Sequence, residues 1–271
     1  MQDFVIDEEK GIGYFKSLRD SFNTSNLVTY DNAIWGNMNL SFAKDNNEYD
    51  LILKKDANVR NLLGIDRSLS LTCPLGNTFL EVNNRILKVL FSRRDNDMSI
   101  PIRAHAIIVS ESLDMNIGMV VAPRDCAIVV LKSKNTNVSV VMHLGSPQIL
   151  QEFHKHVMLY TSSFLKRNDL SDYVVYIYPH ITQKNYKLSK EKIRLLNGRF
   201  DEYLDKERAF NFIGVFTDYI SRNYGIANII NSGIDNYESA KNGNMYSYTY
   251  AKEVGEQDSS VIGCHNVAIK I

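Results

Sequence analysis

Apolar residues fall in short blocks through the first half of the chain and take up a helical period in the second. Ala127–Leu131 (AIVVL) and Val138–Met142 (VSVVM) are β-branched runs, the pattern of strands buried on both faces. KSKNTN between them is polar and holds two asparagines, which predicts a hairpin turn. Further strands are predicted at about Phe79–Val82, Ile86–Phe91, Ala106–Ser110 and Gly118–Ala122. Residues 1–45 read as short strands and loops, with Asp31–Phe42 extended. Glu48–Leu63 carries Leu51, Ile52, Val59, Leu62 and Leu63 as a helical face closed by Gly64. Ser146-Pro147 reads as an N-cap followed by proline at the first helical position, and Ile149, Phe153, Val157, Tyr160 and Phe164 continue one face. Asp172–Tyr178 is a predicted strand. Phe212, Ile213, Phe216, Tyr219 and Ile220 predict a helix ending near Gly225. Short strands are expected at Ile226–Asn231, Tyr246–Tyr250 and Asn266–Ile271. With no linker or repeat, this interleaving predicts one layered α/β sandwich with mixed sheets, a single domain over residues 1–271.

A chain of 271 residues, 44% hydrophobic, can bury a core without disulfides or a structural metal. Lys plus Arg and Asp plus Glu are equal at 31 each, so the basic excess of a nucleic-acid footprint is missing. Cys73, Cys126 and Cys264 lie far apart with no CxxC spacing, as reduced thiols do. MQDFVIDEEK is acidic and lacks the form of a signal peptide, and no apolar stretch is long enough to span a bilayer. The expectation is a cytoplasmic monomer with neither nucleic acid nor membrane as a partner.

Cys126 precedes the first apolar run and His143 follows the second. In a hairpin centred between Lys134 and Asn135 the two face each other across the open end of the ladder. The N–H groups of a helix starting at Ser146 would favour an anion there, and Gly145 would let a ligand approach the backbone. Two chemistries suit the pair: a metal held by thiolate and imidazole, or a thiolate nucleophile with an imidazole base. Spacing alone favours a plainer reading, a core cysteine and a hydrogen-bonding histidine at a strand end. His154 and His156 read as solvated helix residues, and His180 and His265 as surface loop residues.

HAIIVSESLDMNIGMVVAPRDCAIVVL and VSVVMHLG resemble the core of the laccase-domain proteins. That family is also called the multicopper polyphenol oxidase family, and it includes purine nucleoside phosphorylases and peptidoglycan editing factors. Its pattern is an A-D-A-x-V-T strand, a G-x-x-x-x-T-A-D-C-x-P-V-L-L strand and an H-A-G-W-R-G turn. Asp125-Cys126 matches the D-C, and His143 with Gly145 the start of the turn. Asn39-Leu40 resembles the family's S-L-N-L, and Pro179, Ile181 and Tyr186 its G-P-x-I-x-x-x-x-Y-x-V. Asn228–Gly233 is similar to the strand before its C-T motif, and Tyr246–Tyr248 to its F-S-Y-R-R.

The resemblance implies a single-domain α/β sandwich and a metal site, usually zinc and less often copper, made by one cysteine and two histidines. It implies phosphorolysis of purine nucleosides such as adenosine, inosine and guanosine, with adenosine deamination as a side activity. The partners are then a purine nucleoside and phosphate. Cys126 and His143 become the catalytic and metal-binding pair, and Asn39, Gly145, Ser146 and Tyr248 substrate-binding residues. Four positions depart from the pattern. The family's first metal histidine, in Q-V-H-G, falls on Leu75 of Cys73-Pro74-Leu75-Gly76, and three family arginines fall on Pro147, Tyr250 and Cys264. Cys73 or His105 is the candidate third ligand, although a core or loop role is the ordinary fate of each. The alternatives are a degenerate member that binds a nucleoside or a partner without turnover, and a thiol hydrolase built on Cys126 and His143.

Overall fold

The computed structural model describes residues 3–38, 46–72, 77–92, 99–255 and 264–271. Two mixed sheets stack face to face. One holds β1 (Phe4–Asp7), β2 (Ile12–Phe15), β3 (Asn26–Thr29), β4 (Arg67–Leu71), β6 (Ser99–Ile102), β8 (Ile117–Val121) and β13 (Val267–Lys270), in the order β1-β2-β3-β13-β8-β4-β6. The other holds β5 (Phe79–Val82), β7 (Ala106–Val109), β9 (Ala127–Ser133), β10 (Ser139–Leu144), β11 (Tyr173–Ile177) and β12 (Asn228–Asn231), in the order β12-β11-β9-β10-β7-β5. Period-two alternation divides each strand between two cores. Ile128, Val130, Val141 and Ile107 meet Met119, Val121, Val267 and Ile269 between the sheets. Val129, Leu131, Val140 and Met142 face outward under α5 (Ser146–Leu150), α6 (Phe153–Leu165) and α8 (Phe212–Tyr224). Val120 and Ala268 face outward on the first sheet, under Trp35 of α2 (Asn32–Trp35) and Val59 and Leu63 of α3 (Asn46–Leu63). Among the described residues no helix is long and apolar enough to cross a membrane.

The apolar runs are the strands expected of them, and α3 and α8 end at Gly64 and Gly225, both in the left-handed region. Four expectations differ from the structure. Ile86–Phe91 lies in α4 (Asn84–Ser92), not a strand. Its apolar residues Ile86, Leu87, Leu90 and Phe91 fit a helical spacing, and the Asn83 side chain accepts from the Ile86 N–H at 2.9 Å. Tyr246–Tyr250 enters α10 (Tyr248–Glu253), because Ser247 caps the Tyr250 N–H. The extended segment at Asp31 turns instead into α2, capped by Asp31 through the Ala33 N–H at 2.7 Å; residues 39–42 of that segment lie outside the described residues. The helix begun at Ser146 is two helices, broken where Glu152 takes a left-handed φ of 58°. Its N-cap is Gly145, so α5 is five residues long, and a dipole argument loses most of its force there.

Candidate functional site

The loop from β8 to β9 brings Arg124, Asp125 and Cys126 to one end of the gap between the sheets. The hairpin register is Leu131 to Val140 and Ala127 to Leu144, so its centre lies between Asn135 and Thr136. That is one residue beyond the expected centre. The turn is held there by the Asn135 N–H on Ser133 Oγ at 3.0 Å and the Val138 N–H on Thr136 Oγ1 at 3.1 Å. His143 therefore pairs with Ile128, and Cys126 comes opposite Gly145. A shift of one in the centre moves the register by two and leaves every side chain on its face. Cys126 and His143 remain on the inter-sheet face as diagonal neighbours, a relation that long side chains bridge.

Gly145 serves this arrangement directly. A Cβ on it would lie 2.6 Å from Cys126 Sγ, so the missing side chain makes room for the thiol and not for a ligand. The Gly145 N–H is already bonded to Gln148 Oε1 at 3.1 Å. Ser146 is buried, and its hydroxyl is hydrogen-bonded to the Tyr186 hydroxyl.

On the other side of His143, β7 begins beside it. The His143 N–H donates to the His105 carbonyl at 2.7 Å, and the two rings stack with centroids 5.7 Å apart. Cys126, His143 and His105 thus sit on one face across three adjacent strands. Burial, with His105 as a nearby second cause, pushes the His143 imidazole down to about 3; burial also lowers His105. Both rings are neutral at physiological pH. His265 comes from the first sheet, and alternation with Val267 and Ile269 turns it toward the same gap. It is buried, with both ring nitrogens unpartnered, and burial pushes it down to about 3.

Tyr248 is brought in by Asp125. That buried carboxylate accepts from Ser247 Oγ at 2.6 Å, the Thr249 N–H at 2.8 Å and Thr249 Oγ1 at 2.7 Å, fastening the start of α10. Burial raises its pKa and these hydrogen bonds hold it partly back. The Arg124 guanidinium lies 6.0 Å from the Tyr248 ring centre and the Lys252 ammonium 5.0 Å from it. Arg124 Nε also donates to the buried Cys264 thiol at 3.3 Å. Two cations therefore flank the aromatic ring at this end. Sequence reasoning passed over Arg124, although it adjoins the Asp125-Cys126 motif, and it gave Asp125 no role.

Other site residues are less complete. Asn39, Cys73 and Leu75 lie outside the described residues. Among the described residues no group of three His, Cys, Asp or Glu side chains converges closely enough to hold a metal ion. The stacked rings of His105 and His143 present parallel faces, so the donors on hand fall short of the three that a catalytic zinc takes from protein. The remaining histidines divide differently from expectation. His154 is buried against Phe216 and Tyr219, and His180 is buried and packs on Phe212; neither is a surface residue, nor is His265. His156 is exposed, as expected.

No protein-family model matches the chain, and no curated protein matches it. Solved structures do. A Bacillus licheniformis hypothetical protein, YfiH, superposes with a TM-score of 0.75 at 11% identity, over 100% of both chains. YlmD from Geobacillus stearothermophilus gives 0.74 at 12% identity, over 100% of this chain and 99% of its own. The Neisseria meningitidis protein NMB0706, described as family-model DUF152, gives 0.64 at 12% identity, over 92% and 94%. At such identities the likeness speaks for backbone architecture, from one end of the chain to the other: this chain has the fold of the laccase-domain proteins, which those three structures share.

Proposed function

We propose that the chain is a divergent laccase-domain protein that cleaves purine nucleosides by phosphorolysis, at the inter-sheet end marked by Cys126 and His143. The observation that carries this reading is the gathering of Cys126, His143, His105 and Tyr248 at one end of a fold shared over the full chain. In the reaction a phosphate oxygen bonds to C1′ of the ribose. The C1′–N9 bond breaks with its electron pair passing to the purine, which takes up a proton. Tyr248 offers a face on which a purine stacks, and Arg124 and Lys252 beside it supply positive charge for phosphate in place of the family arginines. The neutral imidazoles of His143 and His105 are suited to hydrogen bonds with ribose hydroxyls or the base. The donor set does not complete a zinc site, so no step is routed through a metal.

The hairpin register and the low pKa of His143 weigh against a thiol hydrolase. Cys126 lies opposite Gly145, and an imidazole held neutral down to about 3 is a weak general base at pH 7. The test is release of hypoxanthine from inosine with and without phosphate. Release that requires phosphate, accepts arsenate in its place and disappears in His143→Ala supports the proposal. Saturable inosine binding with no release under either condition replaces it with the degenerate binder.

A further inference from the structure

Far from Cys126, a cavity of about 470 Å³ opens between α2, α3 and the turn joining β1 to β2, lined by Lys10, Ile34, Trp35, Lys55, Asn58, Asn61 and Leu62. Its volume falls within the range of small-molecule sites. Residues 55, 58 and 62 recur at i, i+3 and i+7, so one face of α3 supplies a wall. The Trp35 indole N–H is already bonded to the Lys10 carbonyl at 3.0 Å, and Trp35 is otherwise buried. What it offers the cavity is therefore ring surface. Ile34 and Leu62 flank it as exposed large apolar side chains, 45% and 44% accessible, which is costly surface to leave in water. Lys55 is set by Gly36, where an added Cβ would come within 3.0 Å of its ammonium. Lys10 is paired with Asp7 at 3.1 Å but is 56% exposed, and a solvated pair of that kind exchanges partners at little cost.

We propose that this cavity binds a small aromatic anion, independently of the nucleoside site. The flat ring lies on Trp35 between Ile34 and Leu62, the carboxylate is held by Lys10 and Lys55, and polar ring substituents meet the amides of Asn58 and Asn61. Apolar ring surface beside paired ammonium groups selects this class over a bare inorganic anion, which has no use for the ring, and over a neutral aromatic, which has no use for the lysines.

Trp35 is the chain's single tryptophan, so its fluorescence reports this cavity alone. The probe is 3-phenylpropionate, titrated into the full chain, with 3-phenylpropanol as the uncharged counterpart and inorganic phosphate as the anion without a ring. The expected result is a saturable change in Trp35 emission with the acid and an affinity roughly tenfold lower for the alcohol, as for loss of one charge-assisted contact. Lys10→Gln with Lys55→Gln should weaken the acid to the level of the alcohol, and Leu62→Glu, exposed and tolerant of substitution, should abolish both. No saturable change, equal affinity for acid and alcohol, the same response to phosphate alone, or unchanged affinity in the lysine variants would each overturn the proposal. Inosine turnover is unaffected by any of these results, so this inference and the phosphorolysis reading fail separately.

Discussion

Two buried polar groups share one end of the sandwich and are built on opposite principles. Asp125 is surrounded by donors, with Ser247 and Thr249 filling its lone pairs. His265 and His105, a few residues away across the gap, keep buried ring nitrogens with no partner. A buried acceptor satisfied three times over is a fastening. A buried imidazole without partners is a cost to the fold, and it is retained where a ligand can meet it. The contrast separates the scaffold of the site from its reactive lining, and it makes the two respond differently to substitution.

The largest effect belongs to the fastening. Asp125→Ala leaves the Ser247 and Thr249 hydroxyls and the Thr249 N–H unpaired in a buried place, which should cost about 3 kcal/mol in urea unfolding. Asp125→Asn keeps an acceptor and should cost less. A loss under about 1 kcal/mol for Asp125→Ala would mean that solvent replaces the carboxylate, and the contrast would fail.

Acid comes next. His154 is buried with both ring nitrogens unpartnered, and burial pushes its pKa down to about 4. Because the folded pKa lies below the unfolded value near 6.5, folding is unaffected above that pH. As pH falls below it, the unfolded chain takes a proton that the native state refuses, and stability is lost until about pH 4. At pH 5 the loss from this one residue is roughly 2 kcal/mol. His154→Leu should flatten the stability profile between pH 7 and 5 by about that amount. Asp125, raised by burial, titrates in the opposite sense and gains stability as acid protonates it.

Steric fit at the hairpin end is smaller again. Gly145→Ala places a methyl 2.6 Å from Cys126 Sγ, and the displaced thiol should cost about 1–2 kcal/mol. In the Cys126→Ala background the same substitution should be close to neutral, since the sulfur is gone. Additive effects in this cycle would show that the two residues do not touch.

Much of this end was legible in the chain. The β-branched runs gave the strands, and face parity survived an error in the turn centre because a shift of two residues preserves it. The Asp125-Cys126 and His143-Leu144-Gly145 motifs were enough to find the end of the sheet. What the pattern hid were contacts between distant segments. Nothing local marks Arg124 as a neighbour of Cys264, 140 positions on, or His265 as facing a gap shared with His143. Ile86–Phe91 and Tyr246–Tyr250 misled because short apolar stretches fit either period, and the deciding caps, Asn83 and Ser247, lie just outside or inside the run.

The smallest expected change sharpens the comparison most. His265→Leu exchanges a buried ring with no hydrogen bonds for an apolar side chain of similar bulk. The substitution removes the desolvation cost of two unpaired nitrogens and adds none, so stability should change by less than about 1 kcal/mol, with a gain as the favoured sign. It should also relieve part of the acid sensitivity, because the leucine cannot be protonated in the unfolded chain. If His265 belongs to the reactive lining, phosphate-dependent inosine cleavage should fall while the melting temperature holds or rises. A stability loss as large as that of Asp125→Ala would instead place His265 among the fastenings. The distinction between satisfied scaffold and unsatisfied lining would then have to be drawn somewhere other than at unpartnered nitrogens.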